Sequence, residues 1–146
     1  MLPDFDAATG NLPPGIHEAG WEEFAERFGG TRWRRHLLAG LRAALEVLQA
    51  AGCQRVYVNG SFVTAKAEPA DFDACWEAGD VDPARLDAVL LDFSDHRRSQ
   101  KDKFGGEMFL AHGPADSAGH RFVDFFQGDR DGQPKGIVAI NLGELT

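Results

Sequence analysis

Asp71-Phe72-Asp73 places two carboxylates one residue apart on a run rich in strand-forming residues, and Gly60-Ser61 precedes it by the nine residues 62 to 70. In a strand, residues i and i+2 share a face, so Asp71, Asp73 and Cys75 point one way and Phe72, Ala74 and Trp76 the other. Two carboxylates held side by side form a hard-oxygen seat suited to Mg²⁺ or Mn²⁺. A glycine lets backbone come close to a phosphate, and a serine hydroxyl with free N–H groups binds its oxygens. Cation seat and phosphate cradle complement each other, because phosphoryl transfer needs positive charge at both attacking and leaving oxygens. Alone, a Gly-Ser pair is a common turn and an Asp-x-Asp a common solvated strand face; the order strand, turn, strand makes the pairing informative.

The elements that must carry these residues follow from pattern. Arg55-Val-Tyr-Val58 is a β-branched and aromatic run ending on Asn59-Gly60, and predicts a buried strand that delivers Gly60-Ser61. Pro69 discourages helix before it, and Asp71 to Trp76 predicts the second strand. Upstream, Trp21, Phe24 and Phe28 at helical spacing predict a short helix closed by Gly29-Gly30. Thr31 is an N-cap for a longer one, with the stripe Trp33, Leu37, Leu38, Leu41, Leu45 and Leu48 stopped by Gly52. Asp82-Pro83 followed by Leu86, Val89 and Leu90 predicts a third helix. Ser94 to Lys103 fits a short exposed helix or an ordered loop. Arg121 to Gln127 and Gly136 to Leu142 predict two strands of a C-terminal hairpin around the turn-rich residues 128 to 134. Residues 1 to 20, with three of the seven prolines and no apolar period, are expected to be an arm, and residues 21 to 146 one domain. The expected fold is α/β in the broad sense (α+β): a mixed sheet of about four or five strands with helices mainly on one face.

Arg97, Arg98, Lys101 and Lys103 form the one dense basic cluster, and Lys101 and Lys103, beside Gly105-Gly106, are the candidates to hold a triphosphate; a solvated helix face is the plainer account. Asp129-Arg-Asp-Gly132 opens like a calcium loop, but Gln133, Lys135 and Ile140 occupy its later ligand positions, so it is a turn. The five histidines lack an i, i+4 pair or a nearby cysteine, which argues against zinc. Fifteen Lys and Arg against 23 Asp and Glu leave a net charge of −8, the wrong sign for non-specific duplex DNA. No apolar run approaches the ~18 to 20 residues of a membrane helix, and the first residues lack the layout of a signal peptide. A soluble, cytoplasmic protein without membrane partners is expected, with Cys53 and Cys75 as reduced, packed thiols.

The strand Val56 to Val58, Gly60-Ser61, the spacer and Asp71-x-Asp73 resemble the nucleotidyltransferase superfamily typified by DNA polymerase β and the minimal nucleotidyltransferases. The segments LPPGIHEA, VYVNGSFVTAKAEPADFDACW, VLLDFS and KGIVAINL are also similar to a small bacterial family assigned to that fold, over nearly the whole chain. The resemblance implies that Gly60 and Ser61 hold the triphosphate, that Asp71 and Asp73 bind Mg²⁺ or Mn²⁺, and that a third carboxylate lies on a later strand. Asp124, an isolated acid in an apolar run, is the candidate for that third place. Where better-studied minimal enzymes carry Arg after the Gly-Ser pair, this chain has Phe62 to Lys66, and Lys66 is the candidate replacement. The implied activity moves a nucleoside monophosphate from a nucleoside triphosphate to an acceptor hydroxyl, releasing pyrophosphate. The acceptor is open: a small molecule, an RNA end or a protein hydroxyl, positioned by a homodimer or partner protein if it is not small. The alternative is a non-catalytic module of the same fold, one component of a toxin–antitoxin or defence pair.

Overall fold

Trp21, Phe24 and Phe28 do form a helix: in the computed structural model, which describes residues 1–146, α1 spans Trp21–Phe28 and buries Phe24 and Phe28 with ring centroids 4.8 Å apart. The longer helix, α2, spans Arg32–Ala50. Thr31 caps it by accepting from the Arg34 N–H at 3.1 Å, and Leu37, Leu38, Leu41, Ala44, Leu45 and Leu48 are its buried stripe. Trp33 leaves that stripe; it is 40% exposed, and its indole N–H donates to the Pro69 carbonyl at 2.6 Å.

Five strands form one open mixed sheet: β1 (Ile16–Ala19), β2 (Arg55–Asn59), β3 (Phe72–Trp76), β4 (Gly106–Leu110) and β5 (Ile137–Asn141), in the order β1-β5-β2-β3-β4. β2 runs antiparallel to β3 and β5, whereas β1–β5 and β3–β4 are parallel pairs. A parallel pair needs a crossover, and between β3 and β4 it contains α3, Ser94–Phe104. The main core fills the space between α1, α2, α3 and one sheet face, where Phe72, Ala74 and Trp76 point. The other face carries a smaller core of Tyr57, Cys75, Phe109, Ala111, Val123, Ile137 and Ala139, covered by α4, Phe122–Phe125. The alternation expected for β3 therefore holds, and the fold is the single-domain α+β arrangement anticipated. No helix is long and apolar enough to cross a membrane.

Three local expectations are corrected, and one strand was not anticipated. The first twenty residues are not a detached arm: Leu2 and Leu12 lie in the main core, Arg27 donates to the carbonyls of Leu2 and Pro3, and β1 pairs with β5. Four residues behind Pro13-Pro14-Gly15 are too short to show a period, and their partner is more than a hundred residues away. The helix expected after Asp82 is two separate 3₁₀ turns, Pro83–Arg85 and Ala88–Leu91. Asp87 divides them: its backbone is extended and its side chain caps the second turn by accepting from the Val89 N–H at 3.0 Å, the competition that makes aspartate a poor helix-interior residue. Residues 122–125 are helical rather than a hairpin strand, because a helix lets Phe122 and Phe126, four residues apart, both pack on Phe109. β4 was not anticipated at all, since a glycine pair and an acid open it.

Candidate functional site

The end of β2 and the start of β3 meet across an antiparallel pair in which Asn59 faces Asp73. The chain leaves β2 through Gly60, whose φ of +74° is the left-handed region, and enters a 3₁₀ turn, Gly60–Val63. A Cβ at position 60 would run into the Asp73 carboxylate. Glycine is thus required twice, by backbone conformation and by the closeness of the acid. Beyond the turn, residues 62 to 66 are held from beneath by Arg34. Its buried guanidinium donates to the carbonyls of Phe62 at 2.7 Å, Thr64 at 2.9 Å, Lys66 at 2.6 Å and Phe28 at 3.2 Å, and stacks 4.9 Å over the Phe62 ring.

Gly60, Ser61, Lys66, Asp71 and Asp73 line one cleft of about 510 Å³, with Asn59, Ala70, Phe126, Gly128, Asp129, Arg130 and Lys135 as the remaining wall. This is a volume in the range of small-molecule sites. Burial first, then the charges of Asp71 and Glu107, pushes the Asp73 carboxyl up to about 7. Asp71 is raised as well, by burial and then by Glu107. Lys135, half-buried, has its pKa lowered by desolvation, and Asp129 and Asp73 oppose that shift. Asn59 is fully buried, and neither its amide nitrogen nor its oxygen has a hydrogen-bond partner. A buried unpaired amide group costs on the order of 1–3 kcal/mol, so Asn59 is a strained polar position at the floor of the cleft.

The third acid near the pair is Glu107, which sits beside Asp73 in the parallel β3–β4 register. Arg97 at 3.2 Å and Lys101 at 2.7 Å pair with it. Asp124, the expected third carboxylate, is elsewhere: on α4 it is 48% exposed and bonded to Arg121 at 2.9 Å. The helix that turns Phe122 and Val123 inward turns Asp124 outward. Neither of the two lysines expected to hold a triphosphate lines the cleft: Lys101 pairs with Glu107 and Lys103 with Asp87. Glu107 left a faint signal in the sequence, an acid between the Gly105-Gly106 pair and the apolar run Met108 to Leu110. Arg34 left one too, since it falls three, four and seven residues before Leu37, Leu38 and Leu41 and so shares their helix face. Nothing local marked Arg130 or Lys135, which lie in the turn-rich loop.

No three Asp, Glu, His or Cys side chains converge closely enough to hold a metal ion by themselves. Mg²⁺ seldom asks for such a cage; it is usually held by one or two carboxylates together with substrate phosphates and water. Asp71 and Asp73 fit that pattern: burial first, and then their mutual negative charge, disfavours the ionised form of Asp73, and a divalent cation would relieve the second of these.

A family model, the family of unknown function DUF6932, matches residues 3–141, and the chain belongs to that family. No curated protein and no solved structure matches the chain.

Proposed function

We propose that this DUF6932 member is a metal-dependent nucleotidyltransferase that moves a nucleoside monophosphate from a nucleoside triphosphate to an acceptor hydroxyl. The observation that carries the reading is one cleft joining a left-handed Gly-Ser turn to a pair of half-buried carboxylates with raised pKa values. Lys66, Arg130 and Lys135 add positive charge on the cleft wall, on which phosphates depend. In this reading Gly60 and Ser61 cradle the β- and γ-phosphates with backbone N–H groups and the hydroxyl. Asp71 and Asp73 would hold Mg²⁺, and when bound it would supply positive charge to the phosphates and make the acceptor hydroxyl more acidic. The acceptor oxygen bonds to the α-phosphorus, the bond from that phosphorus to the bridging oxygen breaks, and pyrophosphate leaves with the electron pair. The hydroxyl proton passes to solvent.

Calorimetric titration of ATP, GTP, CTP and UTP, with and without Mg²⁺, tests it. One nucleotide should bind in a metal-dependent manner to the wild type and not to Asp71→Asn/Asp73→Asn. Absence of binding at millimolar nucleotide overturns the reading. A second reading, a nucleotide-binding module without catalysis, draws on the engagement of Glu107 by Arg97 and Lys101. Metal-dependent binding with no labelled-nucleotide transfer to any acceptor would select it.

A further inference from the structure

We propose that the exposed start of α2 docks the 3′ end of a single strand of RNA and presents it to the cleft as the acceptor. Four of the five residues Arg32 to His36 are basic, and the fifth is Trp33. Arg34 turns inward to the loop carbonyls, while Arg32, Trp33, Arg35 and His36 are exposed. The Trp33 indole stacks on the His36 ring, centroids 5.3 Å apart and planes 29° from parallel, and Trp33 is still 40% exposed. The pair is a flat aromatic platform with arginines beside it on the same exposed helix surface.

Position assigns the role. The Trp33 N–H donates to the Pro69 carbonyl at 2.6 Å, and the next two residues, Ala70 and Asp71, are wall of the cleft. Two residues of extended chain reach at most about 7 Å, so the platform stands at the cleft rim. Lys66, whose carbonyl Arg34 holds at 2.6 Å, is also cleft wall and sets a positive charge on the same connecting loop. A strand end stacked at Trp33 thus has its terminal hydroxyl beside the acids. That oxygen forms the new bond to the α-phosphorus, pyrophosphate leaves with the electron pair of the broken bond, and the proton goes to solvent. The acceptor role rests on the nucleotidyl-transfer reading; the capacity to dock a strand does not.

Charge and stacking assign the occupant. The chain has 23 Asp and Glu among its 146 residues, yet none falls from Phe28 to Leu45, and Glu68 is the one acid in residues 60 to 70. Arg32, Arg35 and Lys66 therefore form a local positive strip in a protein of net charge −8, and phosphates are drawn to such a strip. A duplex keeps its bases stacked inside, so it offers Trp33 nothing, and its long footprint meets the acidic remainder of the surface. An unpaired end offers an open base face and a phosphate together. Tryptophan, histidine and arginine planes are the side chains on which unpaired RNA bases stack. RNA commonly ends in unpaired nucleotides, whereas DNA is a duplex along its length.

Fluorescence anisotropy of a 5′-labelled octa-adenylate RNA titrated with the whole chain tests the surface, with duplex RNA, the DNA octamer and heparin as controls. The single-stranded RNA should bind most tightly, and its affinity should fall as salt rises. Trp33→Ala should weaken binding about five-fold or more, the lower end of what stacking one base is worth. Trp33→Phe, which keeps a ring and loses the bond to Pro69, should restore most of it, which a purely structural role for Trp33 would not allow. Arg32→Glu/His36→Ala, at exposed positions, should weaken binding and flatten the salt dependence while melting temperature and Mg-nucleotide binding stay unchanged. Labelled nucleotide should pass to the octamer and not to one with a 3′-deoxy end. The proposal is overturned if the RNA does not bind, if heparin, duplex or DNA binds as tightly, or if the variants bind as the wild type does. A wild-type dimer that Trp33→Ala dissociates also overturns it, since a second copy then covers the patch. If RNA binds but no nucleotide binds the cleft, the acceptor role falls together with nucleotidyl transfer and the docking surface remains; if nucleotide binds and RNA does not, only the present proposal falls.

Discussion

Asp73 concentrates the tension of the site in one carboxyl group. Burial, then Asp71 and Glu107, raise its pKa from 3.8 to about 7, with Lys135 and Lys101 pulling the other way. Between those two values the folded chain keeps a proton that the unfolded chain has lost. Stability contributed by this group is therefore full below about pH 4, falls as pH rises, and is gone above about pH 7. Thermal melts of wild type and Asp73→Asn across pH 4 to 8 should converge at the acidic end and separate toward neutrality, with the variant the more stable there. On the proposed metal-dependent reading, a divalent cation would reverse the effect by pairing with the ionised form. Mg²⁺ should raise the melting temperature of the wild type at pH 8 and leave it unchanged at pH 5, and should do neither to Asp73→Asn. Equal pH profiles for the two proteins would remove the electrostatic account of the site.

At the scale of elements, the N-terminal end of α2 sets the shape of the loop between the Gly60-Ser61 turn and the acids. Arg34 gathers four carbonyls, Trp33 bonds to Pro69, and the loop in between can no longer drift away from the Asp71-x-Asp73 strand. Lysine in place of Arg34 keeps the charge but has no planar fork to reach several carbonyls at once. Arg34→Lys should cost about 2–4 kcal/mol in urea unfolding, since hydrogen bonds to a charged group are worth about 1.5–3 kcal/mol each and part of the set survives. Hydrogen exchange should show the loss of protection concentrated in residues 60 to 70. Uniform loss along the chain would show that Arg34 supports the core and not the loop. The left-handed residues Asp95, His96 and Arg97, φ +49°, +53° and +61°, are a second local departure; Arg97 in this segment pairs with Glu107.

The whole molecule is closed by its first residues. Leu2 and Leu12 are fully buried in the main core, and β1 completes the sheet edge beside β5. Removing residues 1 to 14 would expose the surface those two leucines cover. At about 1.5–3 kcal/mol per buried leucine, the chain starting at Gly15 should lose about 3 kcal/mol or more. Urea unfolding followed by tryptophan fluorescence measures it, and a truncated chain with unchanged stability would mean that the segment rests on the fold without supporting it.

The sequence by itself determined what local chemistry can determine. Periodicity gave α1, α2, β2 and β3, β-strand alternation put Asp71 and Asp73 on the face opposite Phe72 and Trp76, and glycine at 60 followed from the turn that ends β2. The Arg121 to Gln127 run was misassigned because a short apolar segment suits a strand or a helix equally, and only the rings waiting on β4 decide between them. Tertiary structure alone decided which acid joins the pair. Glu107 and Asp124 each sit next to apolar residues, yet one lies beside Asp73 across a parallel register and the other turns to Arg121 in solvent. The same holds for Lys135 and Arg130, brought to the cleft by a loop more than fifty residues from Asp73. Neighbours in a site are set by strand order and crossover, and those depend on packing between distant segments that no local pattern records.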